Sequence, residues 1–131
     1  MRVAIIDDNV GLLEIYRDEF SDYDIKLFND PTKFLQLDHG LYDIVIISHR
    51  FGNESWKKFS REFKNNPKII VTSTYPRNHY VKEFPNLAKD LDEKSIVSPR
   101  IKHFEKEDYK TMQKALYLEE MRLTTLCLLT V

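Results

Sequence analysis

The chain has 131 residues, which allows one ordinary domain and excludes two. It carries 20 Lys and Arg against 21 Asp and Glu, a net charge of −1, which argues against a general affinity for nucleic acid or membrane surfaces. At 42% hydrophobic and 12% aromatic it can bury a core, and its single cysteine, Cys127, cannot close an internal disulfide.

Val3-Ala4-Ile5-Ile6 is a short β-branched run that ends in Asp7-Asp8, and Asn9 then reads as a helix N-cap. Leu12, Leu13, Tyr16 and Phe20 recur at helical spacing across Val10 to Phe20. Asp24 to Phe28 reads as a second strand. Asp30-Pro31 opens a second helix with proline at its first position; Phe34, Leu35 and Leu37 give it a buried side, and Gly40 is expected to end it. "YDIVIISHRFGN", residues 42 to 53, supplies a third strand over Asp43 to Ser48. It stops abruptly at polar residues, as strands that deliver groups to a pocket do. Trp56, Phe59 and Phe63 predict a third helix, stopped by Asn65-Asn66-Pro67, and Lys68 to Ser73 a fourth strand. Between Thr74 and Lys94, broken by Pro76 and Pro85, only Asn86 to Asp92 reads as helical. Ser95-Ile96-Val97-Ser98 is read as a fifth strand before Pro99, and the chain from about Phe104 to Leu123 as one long final helix.

Apolar strands alternating with helices indicate a doubly wound, five-stranded parallel sheet in a three-layer α/β sandwich. Sites in such sheets lie at the carboxyl ends of the strands, which directs attention to Asp7, Asp8, Ser48, Arg50, Thr72, Ser73 and Ser98. No signal peptide is evident and no apolar run is long enough to span a membrane, so a cytoplasmic location is expected.

"VAIIDDN", "DIVIIS", "PKIIVTS" and "SIVSP", taken in that order, resemble the strands of the two-component response-regulator receiver domain over roughly residues 1 to 120. The resemblance implies a flavodoxin-like, receiver-like fold. It also implies that Asp7 and Asp8 correspond to the Mg²⁺-binding acidic pair, and Thr72 to the hydroxyl that bonds a phosphoryl group. The departures from the family pattern matter more. Ser48 stands at the phosphoacceptor position, Ser98 at the expected lysine position and Ser95 at the switch-aromatic position. Arg50 lies two residues past the acceptor, where the family offers a backbone carbonyl to the metal. An acyl phosphate needs a carboxylate nucleophile with Mg²⁺, and a serine hydroxyl is a poor nucleophile without an adjacent base.

The expectation is therefore a degenerate pseudo-receiver: a non-catalytic signalling module acting by phosphorylation-independent protein–protein interaction, with no cofactor and at most weak Mg²⁺ binding at Asp7 and Asp8. Arg50 is a candidate internal cation for those carboxylates. The competing reading is a still-active phosphoacceptor or Mg-dependent small-ligand-binding receiver domain. A flavodoxin-type cofactor site is disfavoured, because "DDNVG" lacks a phosphate cradle. His49 has no ligand spacing. "KKFSREFK", residues 57 to 64, reads as a solvated amphipathic helix and not as a nucleic-acid patch. Residues 121-131 form an apolar C-terminal extension. Tyr109, Met112, Leu116, Leu123 and Leu126 follow a 3-4 pattern interrupted by Glu119, and a homodimer through this segment is expected.

Overall fold

The computed structural model describes residues 1–37, 39–74 and 101–129. Five parallel strands form one sheet: β1 (Arg2–Ile6), β2 (Asp24–Phe28), β3 (Ile44–Ser48), β6 (Lys68–Ser73) and β7 (Ile101–Glu105). Their spatial order is β2-β1-β3-β6-β7. Two short strands, β4 (Arg50–Phe51) and β5 (Glu54–Ser55), pair as a separate antiparallel hairpin just beyond β3. The helices are α1 (Val10–Glu19), α2 (Pro31–Gln36), α3 (Trp56–Ser60) and α4 (Tyr109–Leu129), with a 3₁₀ turn over His39–Leu41.

The period-two geometry of a strand explains the layering. Val3, Ile5, Ile44, Ile46 and Ile70 point to one face, where they meet Leu13, Tyr16 and Phe20 of the α1 region and Met112, Ala115 and Leu116 of α4. Ala4, Ile6, Val45, Ile47, Ile69 and Val71 point to the other, against Phe34, Trp56 and Phe59 of α2 and α3. β3 is buried along its whole length, which is why it reads as a continuous apolar run and not as an alternation. The chain turns back between β1 and β3, so a crevice opens where β1 and β3 end.

Local chemistry starts and stops the elements as their residues suggest. The Asn9 side chain accepts the Leu12 N–H and caps α1; Asp30 accepts the Thr32 N–H, with Pro31 in the first turn of α2. Asn65 and Asn66 both take positive φ, 64° and 45°, which asparagine tolerates better than most residues, and so turn the chain from α3 into β6.

Four expectations are corrected. The strand beside β6 is Ile101–Glu105, in register from Ile69↔Ile101 to Ser73↔Glu105. Ser95–Ser98 and the Asn86–Asp92 helix lie outside the described residues, so Ser98 does not end this strand; Lys106 follows it instead. The final helix begins at Tyr109, and Phe104 belongs to β7. α2 stops at Gln36, before Gly40, and α3 at Ser60, before Phe63. Residue 120 falls inside α4, which runs unbroken to Leu129. Among the described residues no helix is long and apolar enough to cross a membrane.

Candidate functional site

Asp7 leaves β1 at the crevice and is 1% exposed. Its backbone N–H donates to the Phe28 carbonyl at 3.0 Å, fixing the turn. Oδ1 accepts the Asn9 N–H at 2.9 Å, and Oδ2 lies 3.0 Å from Lys106 Nζ. The Lys106 ammonium thus pairs with Asp7 as a short ion pair. Burial pushes the Asp7 carboxyl above the usual carboxylate range, although the Asn9 N–H and the Lys106 ammonium both pull it down; the Asp8 charge pushes it further up. Asp8 itself is exposed.

Lys106 is placed by two contacts. Its backbone N–H donates to the Ser73 carbonyl at 2.9 Å, continuing the β6–β7 pairing past Glu105. Its carbonyl accepts the Tyr16 hydroxyl at 3.3 Å. Tyr16 is fully buried, and burial together with the nearby Asp7 charge raises its hydroxyl pKa well beyond the usual tyrosine value.

Ser48 ends β3 and is 2% exposed; its Oγ donates to the Arg50 carbonyl at 3.4 Å. Thr72 lies opposite Ser48 in the β3–β6 register, and its hydroxyl donates to the Ile47 carbonyl at 3.5 Å. The next residue, His49, is stitched in by its backbone, which donates to Thr72 and accepts from Trp56. Arg50 is exposed, and the cation on Asp7 is Lys106 and not Arg50.

The fold thus gathers Asp7, Asp8, Ser48 and Thr72 at one end of the sheet, with Lys106 added and Ser98 outside the described residues. Sequence reasoning missed Lys106 because β7 shows only Ile101 and Phe104 as apolar residues, while Lys102 and His103 are also buried. The available signal was a lysine directly following a run of residues 101–105 that could pair with β6.

A hard divalent cation takes several oxygen ligands, and Mg²⁺ commonly uses one or two carboxylates completed by water. Here Asp7 is already ion-paired, Asp8 is the other carboxylate, and Ser48 brings only a hydroxyl. Among the described residues no group of three or more His, Cys, Asp or Glu side chains converges. Two carboxylates, one of them ion-paired to Lys106, make this a weak donor set for Mg²⁺. A depression of about 340 Å³ beside the crevice is lined by Asp8, Asn29, Asp30, Pro31, Lys33 and Phe51. A larger one, about 370 Å³, lies at the opposite end of the sheet, far from this chemistry, and includes Tyr42, Asn65, Lys68, Glu119 and Arg122 in its lining.

No protein-family model matches the sequence, and no curated protein matches it with significance. Solved structures do match. A signal receiver domain of an HD domain-containing protein from Pseudomonas fluorescens Pf-5 superimposes with a TM-score of 0.69 at 16% identity, covering 95% of this chain and 97% of that one. A response regulator receiver domain protein from Clostridium thermocellum gives 0.69 at 16% identity, over 95% and 98% of the two chains. A response regulator receiver protein from Sinorhizobium medicae gives 0.65 at 14%, over 90% and 92%. The chain has the receiver-type, flavodoxin-like α/β fold.

Proposed function

We propose that this chain is an atypical receiver-like signalling module of the cytoplasm, non-catalytic, which works through protein contacts and not through an aspartyl phosphate. One observation carries the reading: the strand end that would present a nucleophilic carboxylate presents the Ser48 hydroxyl, 2% exposed and directed at the Arg50 carbonyl. An acyl phosphate cannot form on a hydroxyl. A phosphate ester would require a base and access for a kinase, and burial denies the second. The one nearby carboxylate with a raised pKa, Asp7, is ion-paired to Lys106.

The competing reading, a still-active or Mg-dependent receiver, is favoured by Lys106, because acidic pair, hydroxyl and lysine are all present. It still lacks the third carboxylate. The two readings diverge in a Mg²⁺ titration followed by calorimetry. The wild-type chain is expected to show no saturable binding below millimolar Mg²⁺. Lys106→Met, which removes the competing cation from Asp7, is expected to tighten binding by roughly tenfold or more, the scale of one partly hydrated charge contact. Sub-millimolar binding by the wild type, lost on Asp8→Asn, would favour the competing reading.

A further inference from the structure

The depression of about 370 Å³ lies where β3 and β6 begin, at the far end of the sheet from Ser48, between the 3₁₀ turn, the loop that leads into β6, and α4. Its walls are tied to one another. The Lys68 N–H donates to the Asp43 carbonyl, and the Asp43 N–H to the Arg2 carbonyl, both at 2.9 Å. The Asn65 side-chain amide donates to the Gly40 carbonyl. A Cβ at residue 40 would stand 3.1 Å from that amide nitrogen, so glycine lets the two loops meet. The hollow is therefore formed in advance of any ligand, as binding pockets usually are.

Its charged lining has one group with capacity to spare. Glu119, 3% exposed, takes Nε of Arg122 at 3.0 Å and Nη2 as well, both on Oε1, and its Oε2 stands 3.6 Å from Lys68 Nζ. Two cations thus share one buried carboxylate. Arg122 spends only one edge of its fork there. Its Nη1 amino group makes no hydrogen bond among the described residues, and the side chain is 41% exposed. A guanidinium fixed on one edge by a buried carboxylate and open on the other is oriented for a second carboxylate. Asp43, the remaining carboxylate of the lining, is held through Oδ2 by the Arg2 N–H at 2.8 Å. Its charge favours a singly charged anion over a dianion such as phosphate. Leu41, which is exposed, and Leu123 give the pocket an aliphatic rim, which suits a short hydrocarbon body.

We propose that this pocket binds a small aliphatic monocarboxylate, with the carboxylate on the open edge of Arg122 and the hydrocarbon against Leu41 and Leu123. Such a ligand bridges the 3₁₀ turn and α4. The site goes beyond the contact-based function proposed above and stands independently of it.

Amide chemical shifts of the intact chain, titrated with sodium butyrate to about 50 mM against sodium chloride at equal ionic strength, read the site directly, because a ligand this small is expected to bind in the millimolar range. Saturable shifts are expected at Gly40, Leu41, Asn65 and Leu123, and none with butylammonium chloride. Arg122→Gln is expected to weaken butyrate binding by roughly tenfold or more. Leu41→Asp is expected to do the same, since it puts a like charge on the rim at an exposed position and leaves the buried ion pair intact. Lys33→Gln, in the lining of the depression beside the crevice, is expected to change nothing. Butyrate that produces no saturable shifts at these residues overturns the proposal. So does butyrate binding that Leu41→Asp leaves unchanged or that butylammonium matches.

Discussion

Glu119→Ala is expected to lower stability by about 3–5 kcal/mol, the usual cost of removing one member of a buried ion pair. Glu119 and Lys68 are 3% and 5% exposed, and Oε2 stands 3.6 Å from Nζ at the amino end of β6. Arg122 closes the cluster from the exposed side. Burial pulls the Lys68 ammonium below the ordinary lysine value of 10.5, and the Glu119 carboxylate holds it up. Without that carboxylate the buried ammonium loses its ion-pair partner on α4. The pH dependence follows from the sign of this shift. A lowered lysine pKa in the folded chain means that the folded form resists carrying the charge. The penalty is full below the folded-state pKa and shrinks as pH rises from there toward 10.5, where the unfolded lysine also loses its proton. Urea midpoints of Glu119→Ala and wild type should therefore differ widely at neutral pH and converge in the alkaline range. A Lys68→Met, Glu119→Leu pair should recover most of the loss, because well-packed apolar residues often replace a buried ion pair without cost. A single variant as stable as wild type would show that Glu119 does not anchor α4 to the sheet.

Ser48→Asp is expected to turn a chain that takes no phosphoryl group from acetyl phosphate into one that does. The substitution places a carboxylate at the end of β3, beside Asp7 and Asp8, opposite Thr72 and near a strand end followed by Lys106. It supplies the third oxygen anion for a divalent cation and the nucleophile for an acyl phosphate. A further buried carboxylate also repels Asp7, so the variant should be less stable than wild type without metal. Mg²⁺ should raise its melting temperature and leave that of wild type unchanged. A Ser48→Asp chain that folds, binds Mg²⁺ and still takes no phosphoryl group would mean that more than the acceptor has been lost.

The sheet was legible in the sequence where its strands are buried on both faces. Lys68–Ser73 is found as read and Ile44–Ser48 within one residue, because continuous β-branched runs have few other solutions; Asp24–Phe28, an edge strand with Asp24 and Lys26 exposed, is found as read from its alternation. The N-caps at Asn9 and Asp30 were legible because each is a short acceptor ahead of an apolar-periodic segment. β7 was not legible. Its two buried polar residues, Lys102 and His103, hide both the apolar run and the alternation, and Pro99 made Ser95–Ser98 look like the family's last strand. That one displacement put a serine in the place where Lys106 stands. Glu119 read as an interruption of the α4 pattern for the same reason: its partner, Lys68, is far away in sequence, and no helical periodicity reports a long-range ion pair. The hairpin Arg50–Phe51 and Glu54–Ser55 is too short to give an alternation.

The central claim, that signalling here does not pass through an acyl phosphate, is tested most directly by intact-mass measurement of the wild-type chain after incubation with acetyl phosphate and Mg²⁺. The Ser48 hydroxyl at the strand end and the Lys106 ammonium on Asp7 predict an unchanged mass. A mass gain of one phosphoryl group that hydroxylamine removes would contradict the account.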